Sequence, residues 1–103
     1  MLERLVAEGS TDPFHHYALA MEYKRTKRQQ DALDVFVKLR EAAPDYLPMY
    51  MMAGLLLVEL DRSEQAGPWF EQGIALARRS GDQKTEGELQ DAWNRVATPD
   101  QAG

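Results

Sequence analysis

The sequence predicts an all-α fold of paired antiparallel helices, and three observations support this prediction. Similar residues recur 34 positions apart, small residues stand where helices would cross closely, and prolines and polar runs separate the apolar segments. No stretch shows the two-residue alternation that is typical of a half-buried strand. The expected helices cover residues 13–25, 29–42, 47–60, 64–79 and 83–97.

The spacing of 34 residues is clearest at small and aromatic positions. The matching pairs are Ala20 and Gly54, Ala32 and Ala66, Phe36 and Phe70, Tyr23 and Leu57, and His16 and Tyr50. Because a bulky side chain at a helix crossing would push two backbones apart, the repeated alanine and glycine positions predict close crossings. The phenylalanines, one turn beyond the alanines, would fill the space between one helix pair and the next. The chain is therefore predicted to repeat a two-helix unit.

The segments between these helices contain the expected start and stop signals. Asp12-Pro13 is a good N-cap followed by proline at the first helical position. The polar run at residues 25–28 is expected to form a turn. Pro44-Asp45 is expected to end the second helix and open the third.

The repeated residues resemble the tetratricopeptide repeat (TPR), whose pattern is W-x2-L-G-x2-Y, then A-x3-F, then P. The first copy reads His16-x2-Leu19-Ala20-x2-Tyr23, Ala32-x3-Phe36 and Pro44, and the second reads Tyr50-x2-Ala53-Gly54-x2-Leu57 and Ala66-x3-Phe70. The resemblance covers residues 13–80 and is closest to short bacterial TPR proteins with two repeats. It implies a short right-handed α-superhelix that holds another polypeptide and is not an enzyme.

We expect a single TPR domain over residues 1–103. Its expected parts are an N-terminal partial helix (1–12), two repeats (13–46 and 47–80), a capping helix (82–97) and a tail (98–103). The partial helix is indicated by Leu2 and Leu5, which match Phe36 and Leu39 in the repeat register. The capping helix is indicated by an apolar stripe at i, i+4 and i+7, formed by Leu89, Trp93 and Val96, with Glu86, Glu88 and Asp91 mostly facing water.

The second repeat departs from the pattern in its second helix. Arg78 stands where the closing proline is expected, so this helix is expected to continue toward Ser80-Gly81. Gly67-Pro68 lies near its start, where proline removes a backbone donor and glycine weakens the turn. This pair predicts a late start or a kink, and a tolerated surface substitution is a simpler interpretation than a functional hinge.

Composition and charge disfavour several other functions. The formal net charge of −5, from 12 basic and 17 acidic residues, argues against nucleic acid as the main partner. The longest apolar stretch, residues 49–58, is too short to span a membrane, and the N-terminus does not resemble a signal peptide. A cytoplasmic location is the expectation.

One local cluster of charge is basic, and we call it the basic patch: Lys24, Arg25, Lys27 and Arg28. The interpretation we favour is a hydrated corner between two helices, because no aromatic residue is interleaved for base stacking. As a binding surface, it would suit an acidic partner segment or the acidic region 41–64 of a second copy better than DNA.

The sequence does not predict a catalytic site, a metal site or a cofactor. There is no cysteine and no glycine-rich phosphate loop. His15 and His16 are adjacent, which separates them by about 100° on a helix, so they lack the i, i+4 spacing of a metal-binding pair. We interpret His16 as a packing residue and His15 as solvated. The acidic residues at positions 59, 61 and 64 are interpreted as a solvated helix end.

The third expected helix is unusual because it has no polar face. Beside its repeat-facing residues, four apolar side chains form what we call the second-repeat row: Met51, Met52, Leu55 and Val58. The matching set in the first helix, which we call the first-repeat row, is Phe14, Tyr17 and Met21. The TPR resemblance implies that both rows line the concave groove where ligands lie.

The same resemblance indicates which ligands the groove does not suit. The family's carboxylate clamp of lysine, asparagine and arginine is missing, since the corresponding places hold Tyr17, Met21, Pro48, Met51 and Met52. The expected function is therefore an interaction module for an apolar or amphipathic peptide or helix. Three alternatives stay open: a homodimer formed through the same surface, a non-catalytic subunit of an enzyme complex, and a terminal segment of the chain that covers the row.

Overall fold

The computed structural model describes residue 9 and residues 11–97, and its helices confirm the all-α prediction. Five α-helices occur in these residues: α1 (Pro13–Arg25), α2 (Gln29–Ala42), α3 (Pro48–Glu59), α4 (Ser63–Arg79) and α5 (Gln83–Ala97). No strand is present among them. Each helix end lies within one residue of its predicted position. Most of the predicted N-terminal partial helix (1–12) and the tail (98–103) lie outside the described residues, and residues 9, 11 and 12 of the former are not helical.

The chain divides into two compact units, with the division between Met49 and Tyr50. In the first unit, α1 packs against α2. The Asp12 side chain caps α1 by accepting a hydrogen bond of 2.9 Å from the backbone N–H of Phe14. Ala20 and Ala32 are fully buried, as expected for a close helix crossing. The larger core residues of this unit are Leu19, Leu33, Phe36, Leu39 and Met49.

In the second unit, small residues let aromatic side chains approach the helix backbones. A Cβ atom added to Gly54 of α3 would lie only 2.6 Å from Cε2 of Phe70 in α4. One added to Gly73 of α4 would lie 2.7 Å from the Cβ of Tyr50. Both distances are shorter than van der Waals contact, so these positions require glycine. The small-residue prediction for position 54 therefore has a direct structural reason.

Helix α5 packs against α4 along an aromatic contact. The rings of Trp93 and Phe70 stack with centroids 5.4 Å apart, and Leu89 is fully buried. Glu86 does not simply face water, because its carboxylate forms a 2.7 Å ion pair with Arg78 of α4. At the start of α5, hydrogen bonds from Thr85 lower the pKa of the Asp82 carboxyl group.

The prediction of a late start at Gly67-Pro68 is wrong, and the interpretation as a surface substitution fits Pro68 but not Gly67. Helix α4 begins at Ser63 and includes both residues. Gly67 is buried, and a Cβ atom there would lie 3.2 Å from Cη2 of Trp93. Pro68 is exposed, and because it has no N–H, the carbonyl of Glu64 lacks its helical donor. Glu64 is exposed as well, so water can hydrate that carbonyl. Gly67 therefore makes room for the tryptophan of α5.

Three helices end in the same left-handed turn. The residues with positive φ are Lys27 (67°), Asp61 (62°) and Gly81 (74°). In each turn the next N–H donates to a carbonyl five residues earlier: Arg28 to Tyr23 at 2.8 Å, Arg62 to Leu57 at 2.8 Å, and Asp82 to Ala77 at 2.9 Å. This is the Schellman arrangement, which satisfies carbonyls at a helix C-terminus. Because Lys27 and Asp61 are 34 positions apart, the turn repeats with the helices.

Candidate protein-binding surface

The second-repeat row lies along one side of α3, and all four of its side chains are half-buried. Six other residues of the helix are buried: Met49, Tyr50, Ala53, Gly54, Leu56 and Leu57. At 100° per residue, these six occupy one arc of the helix, and the row occupies a separate arc of roughly 120°. The helix therefore has a core side and a second apolar side that water can reach.

Contacts within the second unit explain why the row is not core. The ring of Tyr50 lies 6.1 Å from that of Trp69 in α4, and Gly54 receives the ring of Phe70. Helix α4 thus packs on the side of α3 that holds Tyr50 and Gly54. The centre of the row lies roughly 120° around the helix from these two residues, on a different side of α3.

The first-repeat row lies on α1 and is more varied in exposure. Phe14 has 57% of its surface exposed, and Tyr17 and Met21 are half-buried. The ring of Tyr17 lies 6.2 Å from the buried Phe36 and 5.5 Å from Tyr46. Burial and the neighbouring Tyr46 raise the pKa of the Tyr17 phenol. This row is therefore fixed by the core at Tyr17 and open at Phe14.

Comparison with solved structures identifies the family. A crystal structure of a tetratricopeptide repeat domain protein from Salinibacter ruber is 40% identical to this chain with a TM-score of 0.81, and the match covers 86% of this chain and 100% of that one. A solution NMR structure of a tetratricopeptide repeat domain protein from the same organism is 42% identical with a TM-score of 0.79, covering 82% of this chain and 86% of that one. The chain belongs to the TPR family. No protein-family model and no curated protein sequence matches it.

The TPR fold is one of protein-interaction repeats, which agrees with the coarse prediction of a binding function.

The basic-patch residues Arg25 and Arg28 make contacts within their own repeat. Arg25 forms a short ion pair with Glu22 that lowers the pKa of that carboxyl group. The guanidinium of Arg28 lies 4.3 Å from the ring centroid of Tyr23 and donates a 2.9 Å hydrogen bond to Asp31.

The remaining two members of the basic patch differ from each other. Lys27 is exposed and occupies the left-handed turn, whereas Lys24 is half-buried on α1. The four side chains are thus neighbours in sequence, but they do not present four equivalent charges.

The two histidines of this TPR protein have separate surroundings. His15 is half-buried rather than fully solvated, and its Nε2 lies 3.7 Å from Oδ2 of Asp12. His16 is also half-buried and lines an open cavity of about 300 Å³ in the first unit, together with Thr11, Pro13, Leu39, Ala42 and Ala43. The interpretation of His15 as a solvated residue is therefore corrected.

Several kinds of site are absent from the part of the chain that the structure describes. In those residues no group of three or more histidine, aspartate or glutamate side chains could hold a metal ion. Within the same part, no polar or charged residue is buried. None of the helices described there is both long and apolar enough to cross a membrane.

Sequence reasoning missed several residues that support this surface. Met49 and Leu56 are fully buried in α3, and with Ala53 they form an i, i+4, i+7 stripe that could have revealed them. Trp69 is buried against Tyr50. Its position three residues after Ala66, on the same face of the helix, could have indicated this burial. Tyr46 lies in the segment between α2 and α3, where no periodic pattern exists to indicate its contact with Tyr17.

Proposed function

We propose that this TPR chain is a non-catalytic interaction module that binds an apolar or amphipathic helix of another polypeptide. The observation that carries the proposal is the second-repeat row, a set of half-buried apolar side chains on a helix whose opposite side is already core. Contiguous apolar surface that packing does not require is typical of a binding site.

The composition of the row supports a helical partner. Met51, Leu55 and Val58 are spaced at i, i+4 and i+7 along α3, which suits an amphipathic helix with anchors at similar intervals. Two of the four row residues are methionines, whose flexible side chains can repack against different shapes. The first-repeat row, with its exposed Phe14, is a further apolar surface within the first unit. The TPR resemblance implies that each row belongs to a ligand groove.

A synthetic amphipathic helix of roughly five turns tests the proposal. Its binding to the full chain is compared, by isothermal titration calorimetry, with that of a scrambled peptide of the same composition. We expect saturable binding of the amphipathic peptide only. The double substitution Met51→Glu and Leu55→Glu should abolish it, because two charges would be desolvated in an apolar contact.

The matched control introduces the same charge at exposed positions of α4, with Gln65→Glu and Gln72→Glu. This control should bind the peptide like the unmodified chain. Equal binding of both peptides, or equal binding by both double variants, would overturn the proposal. Light scattering at several protein concentrations identifies a homodimer formed through the same row, since self-association would then disappear in the Met51→Glu, Leu55→Glu variant alone.

A further inference from the structure

Aromatic side chains gather beside the start of α1, and we call Phe14, Tyr17 and Tyr46 the aromatic cluster. The rings of Tyr17 and Tyr46 are 5.5 Å apart and inclined by 55°. Phe14 lies one turn before Tyr17 on the same face of α1 and is largely exposed. Both tyrosines are half-buried. The cluster therefore offers ring surface that a ligand can reach.

Negative charge lies next to these rings. The Asp12 carboxylate accepts a hydrogen bond from the backbone N–H of Phe14 at 2.9 Å, which places it at the base of that side chain. Burial, and after it the charge of Asp12, raises the pKa of the Tyr46 phenol. The exposed Asp45 immediately precedes Tyr46. Aromatic faces combined with a carboxylate attract cations.

The first repeat already contains one arrangement of this chemistry. The guanidinium of Arg28 lies 4.3 Å from the ring centroid of Tyr23, and its Nε donates a 2.9 Å hydrogen bond to the Asp31 carboxylate. A planar guanidinium can stack on a ring while it donates to a carboxylate, which an ammonium group does less well. The combination of a ring and a carboxylate around a guanidinium therefore already occurs within this chain, at an arginine that the backbone itself positions.

We propose that the aromatic cluster, together with Asp12, binds an arginine side chain of the partner. This inference rests on the proposed function and adds the chemistry of the partner, which would carry an arginine in addition to its apolar stripe. The net charge of −5 also favours a cationic segment.

The test uses methylguanidinium chloride as the probe and neutral N-methylurea as its planar counterpart, with ionic strength held constant by sodium chloride. Aromatic NMR signals of the full chain are followed during both titrations. We expect saturable shifts of Phe14, Tyr17 and Tyr46 with methylguanidinium and not with N-methylurea. The signals of Tyr23, which Arg28 already covers, should change little.

Two substitutions locate the site. Tyr46→Leu removes one ring, and Asp12→Asn removes the charge but keeps a side-chain oxygen that can cap α1. Each should raise the half-saturation concentration about two- to fivefold, the range of an exposed cation–π contact. Asp34→Asn, an equal change of charge at an exposed position of α2, should have no effect.

Equal shifts with both probes, or a response that neither substitution weakens, would overturn the arginine site. The outcome is separable from that of the peptide experiment. A guanidinium response without amphipathic-peptide binding would overturn the proposed function and support the cation site. Peptide binding without a guanidinium response would overturn the cation site alone.

Discussion

Gly54 and Gly87 both lie inside helices, but their surroundings are opposite. A Cβ atom at Gly54 would lie 2.6 Å from the ring of Phe70, whereas nothing lies within 4 Å of one at Gly87. Gly87 is also exposed. Packing between α3 and α4 requires the first glycine. The second has no such role, and it increases the backbone entropy that the chain loses on folding.

We therefore expect opposite effects from the same substitution. Gly54→Ala should lower the free energy of unfolding by about 1–3 kcal/mol, because Phe70 would have to move. Gly87→Ala should raise it by about 0.5–1 kcal/mol, because alanine is the better helix former. Urea unfolding followed by circular dichroism measures both. Equal effects of the two variants would show that α3 and α4 do not approach closely at residue 54.

At the scale of the helices, the left-handed turns after α1, α3 and α4 form a natural comparison. Glycine occupies this position once, at Gly81, whereas Lys27 and Asp61 adopt positive φ with a side chain present. A residue with a Cβ atom lowers the stability of the folded chain at such a position, because the Cβ crowds the backbone in this conformation. The hydrogen bonds of the three turns are alike, so the strain is the main difference between them.

Lys27→Gly and Asp61→Gly should each stabilise the chain by about 1 kcal/mol, since glycine adopts positive φ without strain. Gly81→Ala should destabilise it by a similar amount. Thermal unfolding of the three variants checks the signs. Destabilisation by both glycine substitutions would show that side-chain contacts, rather than backbone conformation, determine these turns.

Helix boundaries could be predicted closely because the chain marks them with physical signals. Asp12-Pro13, Pro44 and the polar turns each stop or start a helix for local reasons. Contacts between elements were harder to predict. The packing role of Gly67 depends on Trp93, 26 positions later in the chain. The sequence within α4 alone contains no sign of that contact.

The candidate site shows the same limit. The row on α3 follows from apolar periodicity, which the sequence displays in full. Tyr46 could not be assigned to the aromatic cluster, because residues 43–47 have no periodicity and its position depends on the ring of Tyr17. Periodic elements thus revealed their apolar surfaces, whereas the residues between them revealed little about theirs.

At the scale of the whole molecule, we propose that α3 has a core side and a separate apolar side that serves binding. Two adjacent leucines lie on different sides of this helix. Leu56 is fully buried and Leu55 is half-buried as part of the second-repeat row. The same substitution at both positions compares the two sides of one helix with an identical change in charge and volume.

The most direct measurement is the free energy of unfolding of Leu55→Glu and Leu56→Glu, followed by far-UV circular dichroism in urea. We expect Leu55→Glu to keep its helical signal and cooperative transition with a loss of about 1 kcal/mol, because water reaches this side chain. Leu56→Glu should lose about 3–5 kcal/mol, because an unpaired charge would be buried. If Leu55→Glu instead unfolds the chain as severely as Leu56→Glu, the second-repeat row is ordinary core and the proposed binding surface does not exist.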